Sequence, residues 1–253
     1  MPVGMREPIP DIREEAERLI TVGRDNDIPL RLLGGLAIEL SRPPAQKPLF
    51  ERVYKDIDLI IRPKDARETR ELLSQEGYTP DQEFNALHGR HRLLFYDDAN
   101  TRQVDVFVGK FAMCHTVPVR GPGIGPESTI PLAELLLTKL QIIELNAKDQ
   151  SDILNLLFCH ELSDHDDGTV NVRYVADVCA LDWGLWRTCK LNVDRSGEAI
   201  AAADLNDAAR GTLTRRLNGL WERIQATPKS TKWRLRDRVG DRVRWYEEPD
   251  DIG

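Results

Sequence analysis

Apolar positions recur at helical spacing from Asp11 to about Asp25, where Ile12, Ala16, Leu19, Ile20 and Val22 share one side. The short apolar run IPLRLLGG (28–35) closes on paired glycines, which predicts a strand ending in a tight turn, and LAIELS then starts a helix. Prolines at 43, 44 and 48 make RPPAQKP (42–48) a loop, because they neither continue a helix nor join a central ladder. DIDLII (56–61) predicts a strand, and PKDARETRELLSQEG (63–77) a helix opened by Pro63 and stopped at Gly77. RHRLLFY and RQVDVFV flank the turn-like Asp97-Asp98-Ala99-Asn100-Thr101 and predict an antiparallel pair. GPGIGP (121–126) is too rich in breakers for any element and predicts a domain boundary. Beyond it 131–146, 149–162 and 203–226 read as helices, and 170–186 in part. The expected class is α+β: a small mixed β-sheet with flanking helices over 1–125, then a mostly α-helical domain over 126–253.

Composition narrows the class without naming a function. With 253 residues the chain is long enough for two cores, and no segment approaches the about 20 apolar residues that span a bilayer. The start MPVGMREPIPDIREEAERL lacks the apolar centre of a signal peptide, so a cytoplasmic protein without membrane contact is expected. Cys114, Cys159, Cys179 and Cys189 show no CxxC spacing and read as reduced, buried thiols. Cys159-His160 lacks further ligands at finger spacing and reads as the end of an amphipathic helix. A net charge of −7 argues against a generic polyanion binder. Locally the balance reverses: KSTKWRLRDRVGDRVRW (229–245) carries seven Lys or Arg against two Asp, interleaved with Trp233 and Trp245. Such a segment tracks a nucleic-acid backbone and stacks bases, or else it is a charge-rich solvated terminus.

Candidate chemistry lies on three strand-like segments in order: Leu33-Gly34-Gly35, then Asp56-Ile57-Asp58-Leu59, then Val104-Asp105-Val106-Phe107. Side chains alternate faces along a strand, so Asp56 and Asp58 point one way while Ile57 and Leu59 point into the core. Asp105 likewise points away from its apolar neighbours. If the two strands are adjacent, three carboxylates converge, and such a cluster repels itself unless a cation resolves the conflict. Hard oxygen ligands suit Mg²⁺ or Mn²⁺, so Asp56, Asp58 and Asp105 are the expected metal ligands. A strand ending in Gly34-Gly35 and entering a helix presents backbone N–H groups where a phosphate can approach without a Cβ in the way. Metal and phosphate sites together imply phosphoryl or nucleotidyl transfer.

The ordered trio resembles the nucleotidyltransferase superfamily typified by DNA polymerase β: a Gly-Gly turn (Gly34, Gly35), an acidic-x-acidic strand (Asp56, Asp58) and a third acidic residue on a later strand (Asp105). LLGGLAIEL and RVYKDIDLII look more narrowly like AbiEii-type minimal nucleotidyltransferases, found as toxins of abortive-infection and toxin–antitoxin systems. In these an Arg precedes the acidic pair by four residues, and Arg52 fits. The gap of 21 residues from Gly35 to Asp56 is long for the superfamily. Lys139 falls inside the apolar stripe of helix 131–145, where an unpaired ammonium is costly. It is expected to emerge into an interdomain cleft and face the triphosphate or the carboxylates. AbiEii-like proteins have a lysine at a matching place, followed by a KD..D segment, here Lys148-Asp149 and Asp152. Those two aspartates fit equally a helix cap and first-turn charge or a role in the site.

The resemblance implies an enzyme that takes a nucleoside triphosphate, ATP among the candidates, with Mg²⁺ or Mn²⁺, Asp56, Asp58, Asp105 and Lys139 as catalytic residues, and Gly34, Gly35, Arg52 and Lys139 for the nucleotide. Acceptors open to it are an RNA or tRNA end, a protein, or a small molecule of the aminoglycoside kind; a cognate antitoxin would be a partner. Two other classes stand beside it: an inactive relative that binds nucleotide, RNA or protein, and a metal-dependent phosphohydrolase, for which no HD-type or His-rich ligand set is present.

Overall fold

The computed structural model describes residues 6–120 and 128–248, so GPGIGP and the boundary expected at 125/126 lie outside the described residues. The chain divides into two compact units. The first is Met1–Leu40, Val53–Phe111 and Val119–Ile130; the second is Ser41–Arg52, Ala112–Pro118 and Pro131–Gly253. The proline-rich loop and the 112–118 segment, both inside the expected first domain, therefore pack with the helices of the second unit.

The first unit holds helix α1 (Ile12–Asp25), strand β1 (Arg31–Leu33), helix α2 (Gly34–Ser41), β2 (Asp56–Ile61), α3 (Ala66–Gln75), β3 (Thr79–Pro80), α4 (Gln82–His88), β4 (Arg92–Asp97) and β5 (Arg102–Val108). The five strands form one mixed sheet in the order β1-β2-β5-β4-β3. Only β2 and β5 run parallel; the other neighbours are antiparallel. Asp11 caps α1 by accepting from the backbone N–H of Arg13 and Glu14, which satisfies two of the donors that a helix start leaves open. Ile57, Leu59 and Ile61 share one face and are fully buried, so hydrophobic burial fixes which way β2 faces. The glycine pair makes the expected tight turn: β1 passes directly into α2, and Gly34, at φ +72°, reverses the chain in a single left-handed residue.

In the second unit every residue of α5 (Leu132–Leu140) is buried. It packs against α6 (Ala147–Cys159), α7 (Val172–Leu181) and α8 (Trp183–Ala202); α9 (Asp207–Ala226) packs on these three, and α10 (Thr231–Asp237) on α7 and α8. Helix α5 stops at Leu140, short of the predicted 146. The Asn192 amide takes over its open carbonyl end, donating to Leu140 O at 2.9 Å and Ile142 O at 2.6 Å. Helix α8 extends well beyond the stretch read as helical. Asn155 anchors the proline-rich loop, accepting from Leu49 N and Phe50 N and donating to Phe50 O at 2.8 Å. Among the described residues no helix is long and apolar enough to cross a membrane.

Candidate active site

Parallel pairing of β2 with β5 sets Asp58 directly beside Asp105, and Asp56 beside Gln103. Paired residues share a face, so Asp56, Asp58 and Asp105 stand on one side of the sheet. Asp56 is exposed, Asp58 half-buried and Asp105 buried. On the other flank Asp58 faces Leu33, the residue before Gly34. A Cβ on Gly34 would stand 2.0 Å from Asp58 Oδ2, so a glycine is required both by its positive φ and by this carboxylate. Asp58 thus occupies the side of Gly34 where a Cβ would stand.

Asp105 departs from the expected open ligand. The Arg92 guanidinium grips both its oxygens, Nε donating to Oδ1 at 2.7 Å and Nη2 to Oδ2. The register explains the pair: Leu94 lies opposite Asp105 and Arg92 opposite Phe107, so Arg92 reaches Asp105 along the diagonal of the same face. Its guanidinium also lies 5.2 Å from the Phe107 ring centroid and 5.7 Å from that of Phe84. Burial pushes the Asp105 carboxyl above its ordinary value, Arg92 pulls it back, and the charge of Asp56 adds to the rise. Arg92 was not singled out from the sequence, although the hairpin turn at 98–101 fixes its register and could have revealed it.

Lys139, Arg52, Asp149 and Asp152 belong to the second unit and form an ion-paired cluster there. Lys139 Nζ lies 2.9 Å from Asp149 Oδ1 and 2.9 Å from Asp152 Oδ2, and Arg52 Nη1 also bonds Asp152. Asp152 is fully buried. The expectation that Lys139 escapes the apolar stripe therefore gives way to pairing within it. Burial works against the ammonium, but Asp152 and Asp149 outweigh it and hold Lys139 above the ordinary lysine value. Nor does Asp149 cap α6: Asn146 does, accepting from Lys148 N and Asp149 N.

The family described as "uncharacterised nucleotidyltransferase" matches residues 11–182, which include β1, β2, β5 and the Lys139 cluster. The chain belongs to this nucleotidyltransferase family. No curated protein sequence matches it. Among solved structures, the lincomycin-bound lincosamide antibiotic adenylyltransferase LnuA is similar over 56% of this chain and 94% of its own, at 15% identity and a TM-score of 0.39. A nucleotidyltransferase-like antigenic protein from Paracoccidioides brasiliensis is similar over 89% of this chain and 97% of its own, at 13% identity and a TM-score of 0.42. Likenesses this loose carry nothing over about substrate.

The donor set here fits the expected divalent ion in part. Among the described residues no group of three His, Cys, Asp or Glu is disposed to hold an ion, and Asp105 is paired with Arg92. Asp56 and Asp58 are two carboxylates on one face. Two carboxylates with substrate phosphates are a common Mg²⁺ environment.

Proposed function

We propose that this nucleotidyltransferase moves a nucleoside monophosphate from an NTP to a hydroxyl acceptor, with Asp56 and Asp58 holding Mg²⁺ or Mn²⁺. The observation that supports this reading is the placement of Asp58 between the Gly34 bend and Asp105 on the parallel neighbour strand. When bound, the ion supplies charge neutralisation at the phosphates and at the leaving pyrophosphate. The N–H groups at the start of α2, at Gly34 and Gly35, favour a phosphate by their dipole. Asp105 serves as third ligand or as activator of the acceptor hydroxyl only when Arg92 releases it. The triphosphate offers Arg92 another anion to hold, with the bidentate geometry that suits a guanidinium. The finer assignment to AbiEii-type toxins, with RNA as acceptor and an antitoxin as partner, draws support from Arg52, Lys139, Asp149 and Asp152, whose side chains form one ion-paired cluster.

Incubation with each α-labelled NTP, Mg²⁺ or Mn²⁺ and total RNA tests the reading. Label should pass to an acceptor with release of pyrophosphate, and Asp58→Asn should abolish it. Transfer that survives in Asp58→Asn refutes the assignment, and release of inorganic phosphate in place of pyrophosphate points to a phosphohydrolase. The buried Arg92–Asp105 pair favours one second reading, an inactive relative that binds nucleotide. It expects nucleotide binding without label transfer under every metal.

A further inference from the structure

The basic, tryptophan-bearing stretch 229–245 folds against the second unit and walls a cavity of about 460 Å³, a size suited to a small ligand. Trp183, 4% exposed, and Trp233, 8% exposed, form its buried part, while the half-buried Trp245 and Tyr246 offer the accessible rings. The rings are fixed. Trp183 Nε1 donates to Asp237 Oδ1 at 2.7 Å and Trp245 Nε1 to Thr188 Oγ1 at 3.1 Å. Trp245 meets Trp183 edge-on, with centroids 6.2 Å apart and planes at 84°. The strap that carries Trp245 is pinned as well: Glu247 N donates to Cys114 O at 3.0 Å, and Trp245 O lies 2.5 Å from where a Cβ on Gly184 would stand.

Charge at the cavity runs against the chain's net −7. Arg236 donates to the carbonyls of Gly240 and Val243 at 2.7 Å each and lies 4.4 Å from the Trp183 ring centroid, so no carboxylate is hydrogen-bonded to it among the described residues. Lys232 is exposed at the rim and has no ion-pair partner among the described residues. Two acids also line the cavity against the three cations Lys232, Arg236 and Arg244: Asp182 accepts from Leu185 N at 3.0 Å at the start of α8, and Glu247 is exposed. Fixed aromatic rings that share the cavity lining with the exposed Lys232 and with Arg236 are complementary to a planar base that carries a phosphate.

We propose that this cavity binds a nucleotide unit, its base stacked on Trp245 and its phosphate held by Lys232 and Arg236. The same chemistry is offered by a free nucleoside monophosphate and by the 5′-phosphorylated end of a single-stranded RNA. The inference stands apart from the transfer reading, because every residue it uses lies in the second unit.

Tryptophan fluorescence of the full chain, titrated with AMP and with a 5′-phosphorylated RNA pentamer, tests it. Both titrations are run on an Asp58→Asn background, which disables the carboxylate pair of β2. Quenching should saturate for at least one probe; preference for AMP identifies a free nucleotide, and preference for the pentamer an RNA end. Lys232→Glu, at an exposed site, should leave the melting temperature unchanged and weaken binding about tenfold through the lost phosphate contact. Trp245→Leu should weaken it by a further about tenfold or more through lost stacking. Absence of saturation with both probes at about 1 mM overturns the proposal. So does binding that Lys232→Glu and Trp245→Leu leave unchanged. Binding seen in the unmodified chain and lost in Asp58→Asn alone places the nucleotide at β2, which sinks this proposal and spares the transfer reading.

Discussion

Gly34→Ala probes the junction of backbone and carboxylate on which the site is built. Alanine at φ +72° enters the left-handed region, which costs about 1–2 kcal/mol for a residue bearing a Cβ. Its new methyl would stand 2.0 Å from Asp58 Oδ2, and ordinary contact begins at 3.4 Å, so the carboxylate must retreat by about 1.4 Å. Asp58 is on a strand whose core-facing residues are fully buried, so the movement falls on its side chain rather than on β2. A stability loss of about 1–2 kcal/mol should lower the melting temperature by about 2–8 °C in a chain of this size. A shift of more than 1 Å in a carboxylate proposed to hold the metal ion should reduce transfer by about 100-fold or more. The two readouts are thermal unfolding and labelled-NTP transfer by the same preparation. A variant that melts as the parent does, or that keeps transfer within a few-fold of it, refutes the argument that Gly34 exists to seat Asp58.

Three further outcomes follow from the buried ion pairs and the buried histidine. Lys139→Met leaves Asp149 and the fully buried Asp152 without their ammonium and should destabilise by about 3–5 kcal/mol, read as a shift of the urea midpoint. An undiminished midpoint would show that the cluster contributes nothing. Arg92→Met should also destabilise, and unevenly with pH. The folded-state pKa of Asp105 is already raised by burial, and removing Arg92 raises it further, so the carboxyl's contribution is intact below its unfolded value and is lost as pH climbs through the folded one. The melting deficit of Arg92→Met should therefore shrink on acidification, and a deficit constant with pH contradicts this. His115, whose pKa burial lowers to about 4, hydrogen-bonds Thr188 Oγ1 through Nε2 at 2.8 Å. Its contribution is present above the unfolded value of 6.5 and is lost as pH falls toward 4, so His115→Gln should flatten the decline of melting temperature over that window. An unaltered slope argues against a neutral native histidine.

The periodicity of the chain was enough for the elements that bury a continuous face. Strand β2 runs from Asp56 to Ile61 as expected, and the β4–β5 hairpin sits around the predicted turn. Alternation also placed Asp56 and Asp58 on one face, because side-chain direction in a strand is a local property. What lay beyond the sequence was the identity of each charge's partner. Asp105 meets Arg92 through strand register, and Lys139 meets Asp149 and Asp152 through the packing of α5 on α6. The proline-rich loop could be read as irregular, but its attachment to Asn155 on α6 joins residues 105 or more positions apart. Hydrophobic pattern fixes where apolar atoms go, since every one of them prefers the interior. Which carboxylate stays open and which is neutralised depends on distances of a few ångströms between remote segments, and only the folded chain sets those.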